Sequence, residues 1–110
     1  MSAQTVADVL EAAADLLTPE GAWTQQSYGR SVDGEPLFEG YDPAAVCWCA
    51  YGAIEKVTGQ GMNGALRKSA VEALDWSPFW NDAPERTQAE VVAKLREAAQ
   101  RARARKGTPS

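Results

Sequence analysis

Apolar residues return along the first seventeen positions with the period of a helix. Val6, Leu10, Ala13 and Leu17 form one stripe, and Asp8, Glu11 and Asp15 stay off it. Thr5 stands three residues before Asp8, the spacing of a capping box with Asp in place of the usual Glu. Pro19 and Gly21 supply the stop. The pattern predicts a helix from Thr5 to Leu17.

Residues 22–41 break that period. They mix aromatic, hydroxyl and glycine residues around an Asp33-Gly34 pair that favours a tight turn, which predicts a short hairpin-like excursion. Asp42 followed by Pro43 then reads as an N-cap and a first helical position, opening a second helix that runs to Thr58 and stops at Gly59. At about 100° per residue, Val46, Ala50, Ala53 and Val57 share a stripe flanked by Cys49 and Ile54, with Trp48 and Tyr51 opposite. A helix apolar on both faces belongs between other elements, so this one is expected at the centre. Gly52 inside it carries a propensity penalty of about 1 kcal/mol, best justified by close approach of a neighbouring backbone or ring.

A third helix is expected from Ala65 to Leu74, with Leu66, Ala70, Ala73 and Leu74 on one side. The segment DWSPFWNDAPERT reads as an aromatic, proline-punctuated loop. Thr87 and Glu90 make a capping box for the last helix, whose buried stripe is Val91, Leu95, Ala98 and Ala102. No internal repeat appears. The expected fold is mainly α, a compact bundle of about four helices around a central apolar helix with the hairpin-like excursion on one side. Residues 1–103 form the domain and 104–110 a flexible basic tail.

Composition narrows the function classes. With 110 residues, 45% of them hydrophobic, one domain can bury a core without disulfides or metal. No apolar run is long enough to span a bilayer, and the N-terminus has no basic start with a separate apolar stretch, so the expected compartment is the cytoplasm. The net charge of −4 is uneven: residues 1–95 carry six basic and fourteen acidic side chains, whereas residues 96–110 carry five basic side chains and one acid. An acidic body lacks the clustered cations that phosphate contacts need, so nucleic acid is not an expected partner apart from the basic tail.

Reactive groups are few. Two cysteines, Cys47 and Cys49, without any histidine fall short of a zinc ligand set, so neither metal nor cofactor is expected. Cys49, and less so Cys47, is the candidate nucleophile. In a helix starting at Pro43 it lies nearly two turns inside, beyond the reach of the helix dipole and with no histidine base, which favours a buried packing role. Trp48 and Tyr51 read as core, or alternatively as the aromatic wall of a ligand pocket. The most suggestive segment is Trp80-Asn81-Asp82 with Arg86-Thr87, polar groups gathered beside Trp76, Phe79 and Trp80. Its plainer reading is structural stitching, with Asp82 in a turn, Arg86 paired to it and Thr87 capping. No paired-carboxylate motif can be singled out, and the glycines of GQGMNGALRKS fit no nucleotide fingerprint.

The order EAAADLL–PEGAW–Q–Y, then WCAYGAIE, then WNDAPERTQAEV–KL–EAA resembles a family of short bacterial and phage proteins that carries only a domain-of-unknown-function label. The resemblance spans Val9 to Ala99 and is sharpest at Trp23, at Trp48-Cys49-x-x-Gly52-Ala53, at Trp80-Asn81-Asp82 and at Arg86-Thr87. It implies that these blocks meet in space and that the source is bacterial or phage, but it brings no activity and no catalytic residue. The leading expectation is a non-enzymatic binding module. In it Trp23, Trp48, Trp80, Asn81, Asp82 and Arg86 line a site for a small molecule or partner protein, with interference between phage and host as one use. The alternatives are a thiol- or carboxylate-dependent enzyme using Cys49 or Asp82, and a self-associating structural protein with a patch of Trp76, Phe79 and Trp80.

Overall fold

The computed structural model describes residues 5–75 and 78–106. Helix α1 spans Val6–Leu16, and Thr5 caps it as its spacing predicts: the Thr5 hydroxyl accepts from the Asp8 amide at 3.1 Å and the Asp8 carboxylate accepts from the Thr5 amide at 3.3 Å. Its C-terminal end is held from far along the chain, because Gln88 Nε2 donates to the carbonyls of Leu17 at 2.6 Å and Pro19 at 2.7 Å.

Residues 22–49 form a small antiparallel sheet in the order β2-β1-β3, from β1 (Gly29–Arg30), β2 (Pro36–Leu37) and β3 (Cys47–Trp48). Gly29 pairs with Leu37 on one side and Trp48 on the other. The expected hairpin is therefore real. Gly34 takes a φ of 85° at its turn, and the Arg30 guanidinium reaches across to the Gly34 carbonyl, the Gln25 carbonyl and the Thr24 hydroxyl. Trp23 makes a parallel bridge with Trp48, which anchors the sheet to the chain leaving α1.

The second helix differs most from expectation. It spans Ala50–Thr58, beginning seven residues later than the Asp42–Pro43 signal suggests, and its N-cap is Cys49. The Asp42 side chain does accept the amide two residues on, that of Ala44 at 2.9 Å, but the Ala45 amide bonds back to the Asp42 carbonyl, so the segment closes a turn. The chain then extends into β3, with the Val46 amide on the Arg30 carbonyl. Asp-Pro chemistry nucleates turns and helices alike, and here sheet pairing decides between them. Val46 is consequently exposed, while Trp48 is buried from a strand.

Helix α3 (Ala65–Leu74) has the predicted bounds, and a single helical turn, α4 (Pro78–Asn81), occupies the stretch expected to be loop. Helix α5 (Gln88–Lys106) begins with the predicted Thr87–Glu90 box and continues past residue 103. The hub of the bundle is α1 rather than α2: α5, α2 and α3 all pack on it, α5 most extensively. Val9, Leu10, Ala13, Ala14 and Leu17 meet Ala53 and Ile54, Ala70 and Leu74, and Val91, Leu95 and Ala98 in one core. The charge asymmetry also has a local explanation. Arg96 pairs with Glu11 and Asp15, and Arg103 with Glu11, so basic side chains of α5 face acids of α1. Among the described residues no helix is long and apolar enough to cross a membrane.

Candidate functional site

Two buried polar systems tie together the hairpin, the start of α2 and the turn before α5. In the first, Glu55 and Arg67, almost wholly buried, pair at 3.0 Å. The other Glu55 oxygen accepts the Gly40 amide at 2.8 Å, and the Gly40 carbonyl takes the Trp48 indole N–H at 2.8 Å. A carboxylate bonded to a guanidinium and an amide is well satisfied despite its burial. Arg67 also lies 5.5 Å from the centre of the Tyr51 ring. This system fastens the hairpin to α2. Gly52 permits the close seat, since a Cβ there would run into the Tyr28 carbonyl, and one on Gly40 into the Gly52 carbonyl.

The second system centres on Asn81, 3% exposed. Its Oδ1 accepts the Trp23 indole N–H at 2.9 Å and the Ala50 amide at 3.2 Å, and its Nδ2 donates to the Thr24 carbonyl and to Asp82 Oδ1. One side chain thus ties the sheet, the start of α2 and the turn before α5. Gln25 adds bonds to the carbonyls of Asn81 and Ala83. Asp82 Oδ1 accepts the Gln26 amide at 2.8 Å and holds Gln26 at a φ of 67°, a left-handed conformation costly for a side chain-bearing residue.

These two systems leave a pocket of about 300 Å³ between them. Gln26, Ser27 and Tyr28 form one wall, Pro36, Leu37 and Phe38 the second, Cys49 and Tyr51 of the α2 start the third, and Asn81 with Asp82 the fourth. The volume is at the small end of the roughly 300–1,000 Å³ range of ligand sites. Phe38 is 88% exposed at the rim. Both hydrogen bonds to Asp82 fall on Oδ1, so Oδ2 has no hydrogen-bond partner among the described residues.

Cys49 is at the pocket wall, not two turns inside a helix, and its sulfur accepts the Gly52 amide at 3.3 Å. Burial nevertheless pushes its thiol up to about 11; the Gly52 and Tyr51 amides work against that rise, and the Asp82 and Glu55 carboxylates add to it. The group best placed for nucleophilic chemistry is therefore a neutral thiol at physiological pH. Burial likewise raises the Tyr51 phenol, with Arg67 opposing.

Of the residues singled out from sequence, Asn81 and Asp82 reach the pocket, joined by Cys49 and Tyr51. Trp23 stands behind it, holding Asn81. Trp48 is buried beneath the hairpin. Arg86 stacks on Trp80, 3.6 Å from the ring centre, donates to the Trp80 carbonyl at 2.8 Å and pairs with Glu90 rather than Asp82. Trp76 lies outside the described residues, as does the side chain of Phe79. Sequence reasoning missed Gln26, Ser27, Tyr28, Pro36, Leu37 and Phe38; the Asp33-Gly34 turn that folds two of the walls together was their one signal.

A broader groove of about 500 Å³ runs beside α5, but its polar side chains are already committed, Thr18 to the Ala14 carbonyl, Gln88 to the carbonyls of Leu17 and Pro19, and Arg96 to carboxylates of α1. Among the described residues no three histidine, cysteine or acidic side chains gather to hold a metal. No curated protein and no solved structure matches the chain. A family of unknown function, DUF6197, matches it over residues 1–101. That match takes in all four walls of the pocket, and the chain belongs to this family of unknown function.

Proposed function

We propose that this domain binds a small molecule in the pocket between the hairpin, the start of α2 and the Asn81–Asp82 turn. The observation that carries the reading is the pairing of a concave, mainly apolar wall with one carboxylate oxygen that no group among the described residues satisfies. Few convergent polar groups in an apolar cleft is the usual make-up of such sites. Trp23 serves the site from behind by fixing Asn81. Trp48 supports the hairpin, and Arg86 on Trp80 braces the turn. The strained Gln26 backbone is consistent with a wall held in place for a ligand. A thiol-dependent reaction is the weaker reading, because Cys49 is kept protonated.

The test is a fragment library titrated into the labelled protein and followed by amide chemical shifts. Shifts clustered on Gln26, Tyr28, Leu37, Tyr51 and Asp82 support the proposal. Fragments that shift only the α5 groove, or none that shift the pocket at millimolar concentration, refute it.

A further inference from the structure

Among the described residues, Asp82 is the only charged side chain in the pocket wall. Its Oδ1 is used by the Gln26 amide and Asn81 Nδ2, and its Oδ2 takes no hydrogen bond from them. Asp82 is only partly buried, and no cation of its own chain pairs with it among the described residues. Here the neighbouring arginines are all engaged elsewhere. Arg86 lies on Trp80 and pairs with Glu90, Arg67 is buried against Glu55, and Arg30 is spent on the hairpin turn. The remaining polar wall is neutral, consisting of Gln26, Ser27, Asn81, the two tyrosines and a protonated thiol. Three aromatic rings, those of Tyr28, Phe38 and Tyr51, complete a lining that suits an organic cation.

Resting on the binding reading above, we infer that the pocket selects a small organic cation: a protonated amine or amidinium on a compact aromatic or aliphatic body, its N–H donating to Asp82 Oδ2. The body lies against Leu37 and the rings, and the acidic side-chain excess of residues 1–95 repels anionic competitors. A volume near 300 Å³ fits one ring with a short chain.

Matched pairs test the charge separately from the binding: benzylamine against benzyl alcohol, phenethylamine against 2-phenylethanol, and isoamylamine against isoamyl alcohol, each titrated by amide shifts at neutral pH. The amines are expected to bind roughly tenfold or more tightly than the alcohols, as a charge-assisted hydrogen bond implies. Asp82→Asn keeps the Oδ1 acceptor and places a neutral donor where Oδ2 was, so the fold persists and the advantage of each amine over its alcohol disappears. An amide spectrum of D82N superimposable outside the pocket verifies the fold. Alcohols that bind the pocket as tightly as their amines, or D82N leaving amine affinity unchanged, overturn the cation inference and leave the binding reading standing. Absence of pocket shifts with every pair overturns the inference, and the fragment library then decides the binding reading by itself.

Discussion

Truncating Asn81 to alanine removes a buried side chain that joins three segments of the fold. The buried Ala50 amide and the half-buried Trp23 indole N–H lose their acceptor together, and the Thr24 carbonyl and Asp82 Oδ1 lose a donor. An orphaned buried donor costs about 1–3 kcal/mol, so two of them with a small cavity come to about 3–5 kcal/mol. A domain of this size is stable by about 5–15 kcal/mol, which makes the loss a large part of the whole. Guanidinium titrations followed by circular dichroism measure it directly, and the melting temperature should fall by about 12–20 °C.

Asn81→Asp is the sharper variant. It keeps Oδ1 for Trp23 and Ala50 but sets an oxygen against the Thr24 carbonyl and Asp82 Oδ1. Repulsion favours the protonated form of the introduced carboxyl in the folded state, so the folded protein binds more protons than the unfolded chain. Stability lost at neutral pH must then return as the pH falls below the raised pKa of the folded state, and be restored in full near pH ~4, the unfolded value. An N81A loss below about 1 kcal/mol, or N81D stability that is flat with pH, would show that the amide does not hold these segments together.

The geometry fixes three further outcomes. Gly52→Ala should destabilise by about 1–3 kcal/mol or more despite its better helix propensity, because the new Cβ meets the Tyr28 carbonyl, whereas Gly59→Ala should cost only about 1 kcal/mol for its φ of 66°; thermal unfolding of the two ranks them. Arg67→Met leaves Glu55 charged and buried and should cost about 3–5 kcal/mol, while adding Glu55→Gln, which retains the acceptor for Gly40, should recover half or more in denaturant titrations. The Cys49 thiol, raised from 9.0 to about 11, binds its proton more tightly folded than unfolded, so its contribution of about 3 kcal/mol at most is intact below pH 9 and is lost as pH rises through 11. Stability measured from pH 8 to 10.5 should fall more steeply for the native protein than for Cys49→Ser, and native-state iodoacetamide should label Cys47 well before Cys49.

The elements legible from sequence are those whose signals are local. Thr5 with Asp8 and Thr87 with Glu90 satisfy amides three residues away, so their boxes read correctly without knowledge of the rest. The stripe of α3 likewise needs only its own period. Asp42–Pro43 failed for the same reason that these succeeded: its bond to the Ala44 amide is equally local, but pairing of Val46, Cys47 and Trp48 with β1 turns the chain into a strand instead of a helix. The pocket was legible at Asn81 and Asp82, polar residues conspicuous among tryptophans, and at Tyr51, which reads alternatively as the aromatic wall of a ligand pocket. No spacing rule connects its walls at residues 26–28, 36–38 and 49–51, because what brings them together is the contact between Gly52 and Tyr28 and the bond from the Gly40 amide to the Glu55 carboxylate.

Cysteine is an unusual choice where Ser, Thr, Asp or Asn is favoured, and sulfur is a weak acceptor for the first amides of a helix. At α2 the shortfall is met from a distance of 31 residues, by Asn81 Oδ1 on the Ala50 amide. The start of this helix is therefore a tertiary contact, complete only when the turn before α5 is docked, and that same turn carries the pocket's carboxylate. Occupying the pocket must then stabilise the cap, since any ligand that prefers the docked turn shifts the equilibrium toward it by mass action. Hydrogen exchange at the Ala50, Tyr51 and Gly52 amides should slow severalfold when a pocket-binding amine is added at ten times its Kd, with the amides of α1 and α5 slowing less. Equal slowing at every amide would mean that exchange here reports only global unfolding, and the coupling between the cap and the pocket would have to be abandoned.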